Sequence, residues 1–261
     1  MSAEDFVTLL IPLTWLAMLG IEALGTGRSW PAARWWRVRS LGFFVMVMTL
    51  NAALPGLLPE AWTRHHLLDA ARLGLAGNVL AGFAALTLAT AIVHRAYHRF
   101  DLLWRWVHQL HHAPQRLDVA GGVVFTPWEV VLNVAIFQGV IVFVLGSSPL
   151  AAAIVGYVSV FYGLFQHFNI HTPTWLGYLI QRPESHGVHH RRGLHGYNYA
   201  DLPVWDMLWG TFRNPRQFNG DVGFEGGEDA PVWPQMLGRD ANAGLYGRGN
   251  RGRPASVTNP A

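Results

Sequence analysis

The chain has 261 residues, 51% of them hydrophobic and only 13% charged, with a mean hydropathy of +0.20. That balance points to a membrane-embedded chain rather than a large soluble core. All 19 basic residues are arginine, the net charge is only +3 and there is no cysteine, which excludes disulfides and cysteine-held iron–sulfur clusters and offers no basic, aromatic-laced nucleic-acid surface.

Residues 6–24 form a nearly unbroken apolar run preceded by Glu4 and Asp5 and no arginine. A secretory signal needs a positive flank and a shorter apolar stretch, so a retained transmembrane helix is predicted. Residues 26–40 mix four arginines with Trp30, Trp35 and Trp36, a membrane-interface composition. A second run covers 41–58, and a short polar loop, 59–72, carries His65 and His66. The third run, 73–93, has 21 residues, about 30 Å at helical rise and so one hydrocarbon thickness. Nothing obvious breaks it before Pro114, so the helix is predicted to continue past His94 into the interface. Runs four and five, 128–146 and 149–168, flank the turn Gly146-Ser147-Ser148-Pro149, which makes them an antiparallel hairpin.

The expected fold is all-α, a multi-span transmembrane bundle with a cytosolic, helical, histidine-rich cap. Three regions are expected: 1–72 with two spans and their loops, 73–218 with three spans and the cap, and 219–261 as a largely disordered extension. Arginine concentrates in 26–40, 95–127 and beyond 171. The positive-inside bias then places the N-terminus outside and the C-terminus in the cytoplasm across five spans, with four spans as the alternative.

Ten of the 13 histidines fall in four boxes: His94 and His98; His108, His111 and His112; His167 and His171; His186, His189 and His190. Residues three or four apart share one helix face, which lets two imidazoles reach one ion at metal–nitrogen distances of about 2.0–2.1 Å. Four boxes offer more nitrogen than one ion needs, so two metal ions are inferred. Topology puts all four on the cytoplasmic side and His65 and His66 on the other, while His195 is weighed as an outer or surface residue. No carboxylate lies inside the boxes. Imidazole alone suits zinc, copper, iron or nickel, so oxygen activation and zinc binding or transport both stay open. A transporter would place its histidines near the bilayer midplane, usually with acidic partners.

HRAYHRFDLLWRWVHQLHH (94–112), FQHFNIHTP (165–173), PESHGVHH (183–190) and NYADLPVWDMLWGTFRNP (198–215) together resemble the fatty acid hydroxylase and sterol desaturase superfamily of membrane-integral, histidine-rich di-iron oxygenases. The resemblance implies a lipid hydroxylase or desaturase with two iron ions, O2 as cosubstrate, a lipid substrate from the bilayer and the ten box histidines as ligands. His171 is the ligand replaced in some relatives. Where relatives carry an aspartate and a tyrosine before the first box, this chain has Thr87 and Ala91. Metal-bound imidazoles usually donate their other N–H to a carboxylate or carbonyl, which makes Asn198, Tyr199 and Asp206 candidate outer partners. With no GxGxxG unit, cysteine or haem-attachment motif, electrons are expected from a separate ferredoxin, cytochrome or flavoprotein reductase. An integral membrane protein of the bacterial inner membrane is the expected setting.

Overall fold

The computed structural model of the chain describes residues 1–25, 27–58, 65–224 and 232–241. Every regular element among them is a helix. Five are long and apolar enough to cross a membrane. They are α1 (Ala3–Glu22), α2 (Trp36–Ala53, extended by a 3-10 turn over Leu54–Leu57), α3 (Gly74–Arg99), α4 (Pro127–Phe137, continued as π-helix over Gln138–Val144) and α5 (Pro149–His167). The five predicted runs are thus five helices.

Their starts are written in the sequence. Ser2 and Asp5 form a capping box at α1; Thr126 and Ser148 accept from Glu129 N and Ala151 N, with Pro127 and Pro149 in the first turns of α4 and α5. α5 packs against α1 and α3, and α2 packs against α4. Leu9, Leu13, Leu16, Val45, Leu80 and Ile92 point outward, a surface suited to lipid tails. The α4–α5 turn passes through Gly146 at φ +58° and is tied to α3 by Asn78, which donates to Ser147 Oγ and accepts from Ser148 N. His65 and His66 are exposed, and Leu67 and Leu68 donate to Phe143 O and Val144 O. They therefore sit at the end of the bundle opposite the four boxes.

One expectation changes. The helix does not run on to Pro114: the backbone turns extended at Phe100 (φ −107°, ψ 121°), then resumes as a short helix and a π-helical stretch, Trp104–His108. A straight helix would hold His94 and His108 about 21 Å apart; the break folds one box back onto the other. Of the region beyond 219, the described parts fold back onto the rest of the chain. Val222 pairs with Arg191, Phe224 N donates to Ala113 O, and helix Val232–Met236 packs near Gln109. Gln109 donates to Arg239 O. Residues 225–231 and 242–261 of the predicted extension lie outside the described residues.

The linker 100–126 is pinned to α1 and α2. Glu22 Oε1 accepts from Val119 N and Asn169 N (3.0 and 2.7 Å), Asp118 accepts from Trp36 Nε1 and Gly121 N, and Ser40 Oγ donates to Ala120 O. Two further short helices carry functional motifs: α6 (Pro183–His189) and α7 (Pro203–Trp209).

Candidate metal centre

Nine of the ten box histidines come together, in two adjacent groups. His94, His98, His108, His112 and His189 form one; His111, His167, His186 and His190 form the other; within each, the donor atoms all lie within 4.8 Å of one another. All but the half-buried His94 are buried. The rings of His112 and His190, one from each group, stack at 4.1 Å between centroids.

His171 does not join them. α5 stops at His167, where Phe168 turns extended (φ −68°, ψ 118°), so His171 is no longer one helical turn above His167 and is exposed. His195 is buried, its ring against His98, Trp104 and His112, beside the five-histidine group but outside it.

The outer nitrogens show which atoms face inward. His94 Nδ1 lies 2.7 Å from Tyr199 O and His189 Nδ1 lies 2.9 Å from Tyr197 O. A carbonyl only accepts, so both Nδ1 atoms carry the proton. His108 Nδ1 lies 2.7 Å from Glu129 Oε1, which only accepts, whereas Gln181 Nε2 donates to His186 Nδ1 at 2.9 Å. The Nε2 lone pairs of His94, His108 and His189 therefore point into the groups. His94 and His108 Nε2 stand 2.9 Å apart, and the 98–94, 112–108, 186–167 and 190–186 pairs 3.3, 3.1, 3.1 and 3.0 Å. Two lone pairs that close repel unless a cation lies between them. With metal–nitrogen bonds of about 2.1 Å, donors at right angles around one ion sit about 3.0 Å apart. His189 Nε2 is buried with no hydrogen-bond partner among the described residues. The donor set fits a pair of nitrogen-liking ions.

Burial holds the pKa of His108, His111, His112, His186, His189 and His190 well below the usual imidazole value, with neighbouring imidazoles adding to the shift. Neutral imidazole is the form a metal ion binds.

Of the predicted outer partners, Tyr199 hydrogen-bonds a box histidine through its carbonyl, while its ring packs against His94, His98 and His189 and its hydroxyl donates to His195 O. Asp206 touches none: its carboxylate accepts from Tyr199 N, Ala200 N and Thr211 Oγ1 (3.0, 2.8 and 2.6 Å) and so fixes the loop that carries the Tyr199 carbonyl. Asn198, at φ +55°, clips that loop through Ser185 O, Arg213 O and Arg213 N. Trp205 Nε1 donates to Thr87 Oγ1, and Arg95 lies 5.4 Å from the Trp209 ring. The Trp-Asp…Trp-Gly-Thr motif is thus a staple of α7 onto α3 beside His94.

Glu129 and Gln181 were missed as partners. Glu129, buried in the first turn of an apolar span, was detectable as an acidic residue in a transmembrane segment. Gln181 had no sequence signal; it reaches Asp201 through Gln166.

Fold and site together define a membrane-embedded helical protein with two adjacent histidine cages, each able to hold a metal ion, at one end of its bundle. The chain belongs to the fatty acid hydroxylase family, whose model matches residues 79–211, just over half of its length. It is also 32% identical over 157 residues to a protein named ornithine lipid hydroxylase OlsE, from Rhizobium tropici. That similarity covers 58% of this chain and 47% of the relative, so the chain spans about half the length of the relative it matches. No solved structure matches it.

Proposed function

We propose that the chain is a membrane lipid hydroxylase using two iron ions and O2 to oxidise an unactivated C–H bond. The observation that carries this reading is the pair of adjacent cages with converging Nε2 atoms, at the same end of the bundle as the ends of α3 and α5. His94, His98, His108, His112 and His189 would hold one ion, and His111, His167, His186 and His190 the other. Bound iron supplies the oxygen chemistry that no side chain offers. In balance, one oxygen atom enters the C–H bond and the other leaves as water, with two electrons and two protons consumed; removal of two hydrogens instead would give an alkene.

The protein's part is holding and shielding. Glu129 and the carbonyls of Tyr197 and Tyr199 fix imidazole tautomers and ring angles. Burial under α6 and the 219–224 segment keeps water from the reacting atoms. The lipid enters sideways between the spans. Electrons come from a separate cytosolic ferredoxin, cytochrome or flavoprotein. The arginine distribution supports a cytoplasmic metal centre in a bacterial inner membrane. Rigid cages at helix ends fit catalysis better than zinc transport, which needs sites along a path.

The relative's name makes ornithine lipids the first substrate to test. Lipids from cells with and without the active protein are compared by mass spectrometry, and the purified protein is analysed for metal and optical spectrum. The reading expects a lipid heavier by one oxygen, two irons per chain and no haem band. Unchanged lipids in the presence of iron-loaded protein and a competent donor overturn it.

A further inference from the structure

A cleft of about 240 Å³ opens beside the four-histidine group, lined by Arg28, Trp30, Phe168, His171, Phe218 and Asn219 among others. Phe168 follows His167 in the chain, and Glu184, also on the lining, precedes His186 by two residues. α1 ends six residues before Arg28, and α5 ends two residues before Asn169. The cleft therefore lies where two spans leave the apolar layer, at the depth of lipid headgroups.

Arg28 is built into this place. Its N–H donates to Asn169 Oδ1, and Asn169 Nδ2 donates back to Arg28 O (2.9 and 2.8 Å). The neighbouring Gly27 is so tightly packed that a Cβ there would meet Asn169 O. The guanidinium lies 4.4 Å from the Trp30 ring and 5.9 Å from Phe218, and Nη1 donates to Gly220 O at 2.6 Å. A guanidinium has five N–H donors; among the described residues no carboxylate pairs with this one. Glu184, the acid on the lining, is already taken by Arg182 at 3.0 Å and by Thr172 N and Oγ1 at 2.8 and 2.6 Å. Among the described residues the cleft thus holds a positioned cation with no carboxylate partner, set among aromatic walls. An anion fits the cation, and apolar walls beside it fit the first methylenes of an attached chain.

We propose that this cleft binds an anionic headgroup, a phosphate or carboxylate oxygen group on an amphiphile, with Arg28 as its counter-ion, and so orients the lipid against the four-histidine group. The orienting role rests on the lipid-oxidising reading above; the binding role does not.

The test titrates the full-length, iron-loaded protein in a neutral detergent with dodecyl phosphate, dodecyltrimethylammonium and inorganic phosphate, followed by tryptophan fluorescence. Wild type is expected to bind dodecyl phosphate well above the other two. R28Q is expected to weaken it about ten- to a hundredfold, the range for losing charge-assisted hydrogen bonds, with iron content kept; R28K recovers part. Should R28Q fail to fold, selectivity of the wild type among the three probes decides. Equal affinity in folded R28Q, or dodecyltrimethylammonium binding as well as dodecyl phosphate, overturns the site. Inorganic phosphate binding as tightly as the amphiphile assigns it to a free anion and overturns the lipid part. Arg28-dependent binding in a protein that oxidises no lipid upholds the site and refutes the hydroxylase instead.

Discussion

Replacing Glu129 tests whether the cages are metal sites or only a packed histidine core. Its Oε1 is 2.7 Å from His108 Nδ1, both side chains are buried, and His108 Nε2 faces His94 and His112. In Glu129→Leu the Nδ1–H loses its acceptor. A hydrogen bond to a charged group contributes about 1.5–3 kcal/mol, so metal binding should weaken about ten- to a hundredfold. The metal-free chain should respond in the opposite sense. Glu129 Oε2 is buried with no hydrogen-bond partner among the described residues, and burying a carboxylate without a cation is costly; leucine removes that cost. Chelator competition near neutral pH measures the affinity, and thermal unfolding of chelator-treated protein measures the metal-free stability. Undiminished affinity in Glu129→Leu, or a metal-free chain destabilised as much as the loaded one, would refute the reasoning.

His171→Ala should keep both ions and His167→Ala should lose one, as read by metal analysis; loss of an ion in both would restore His171 as a ligand. Burial raises Asp201 to about 6, against the opposing hydrogen bond from Gln166. Its neutral form is the one the fold favours, so its contribution is complete below about pH 4 and is lost as pH rises through about 6. The difference in melting temperature between Asp201→Asn and wild type should therefore move in the variant's favour from pH 4.5 to 7, and a constant difference would sink the assignment.

The spans were legible because each is a long apolar run with its own start signal, and the boxes were legible because imidazole at helical spacing is rare without a purpose. Three things were not. The break at Phe100 follows from tertiary closure, since nothing in the local sequence forbids a helix there. His171 keeps its box spacing in the sequence but loses its role, because the helix ends four residues too early. Gln181 and the Tyr197 and Tyr199 carbonyls act through positions that only the folded loop creates; a backbone carbonyl carries no sequence signature at all. Asp206 was legible as an important polar residue, but its partners are backbone amides, so its influence on His94 is one step removed.

The way the boxes divide has a consequence that chain order hides. On a helix, residues i and i+4 are about 40° apart and i+3 lies about 60° to the other side. In each HxxHH box the outer pair accordingly shares one cage while the middle histidine faces the next: His108 and His112 stay with His94, and His111 crosses to His167; His186 and His190 stay with His167, and His189 crosses to His94. The exchange ties the 100–126 linker to α6, so neither cage can form until both segments are in place. His189→Ala should therefore lose the same ion as His98→Ala, and His111→Ala the same ion as His190→Ala, although each crosses from its sequence neighbours. Partial metal replacement with a spectroscopically distinct ion such as cobalt, recorded for all four variants, separates the pairs. Grouping of His189 with His186, or of His111 with His112, would mean that the cages follow the sequence boxes and not the geometry described above.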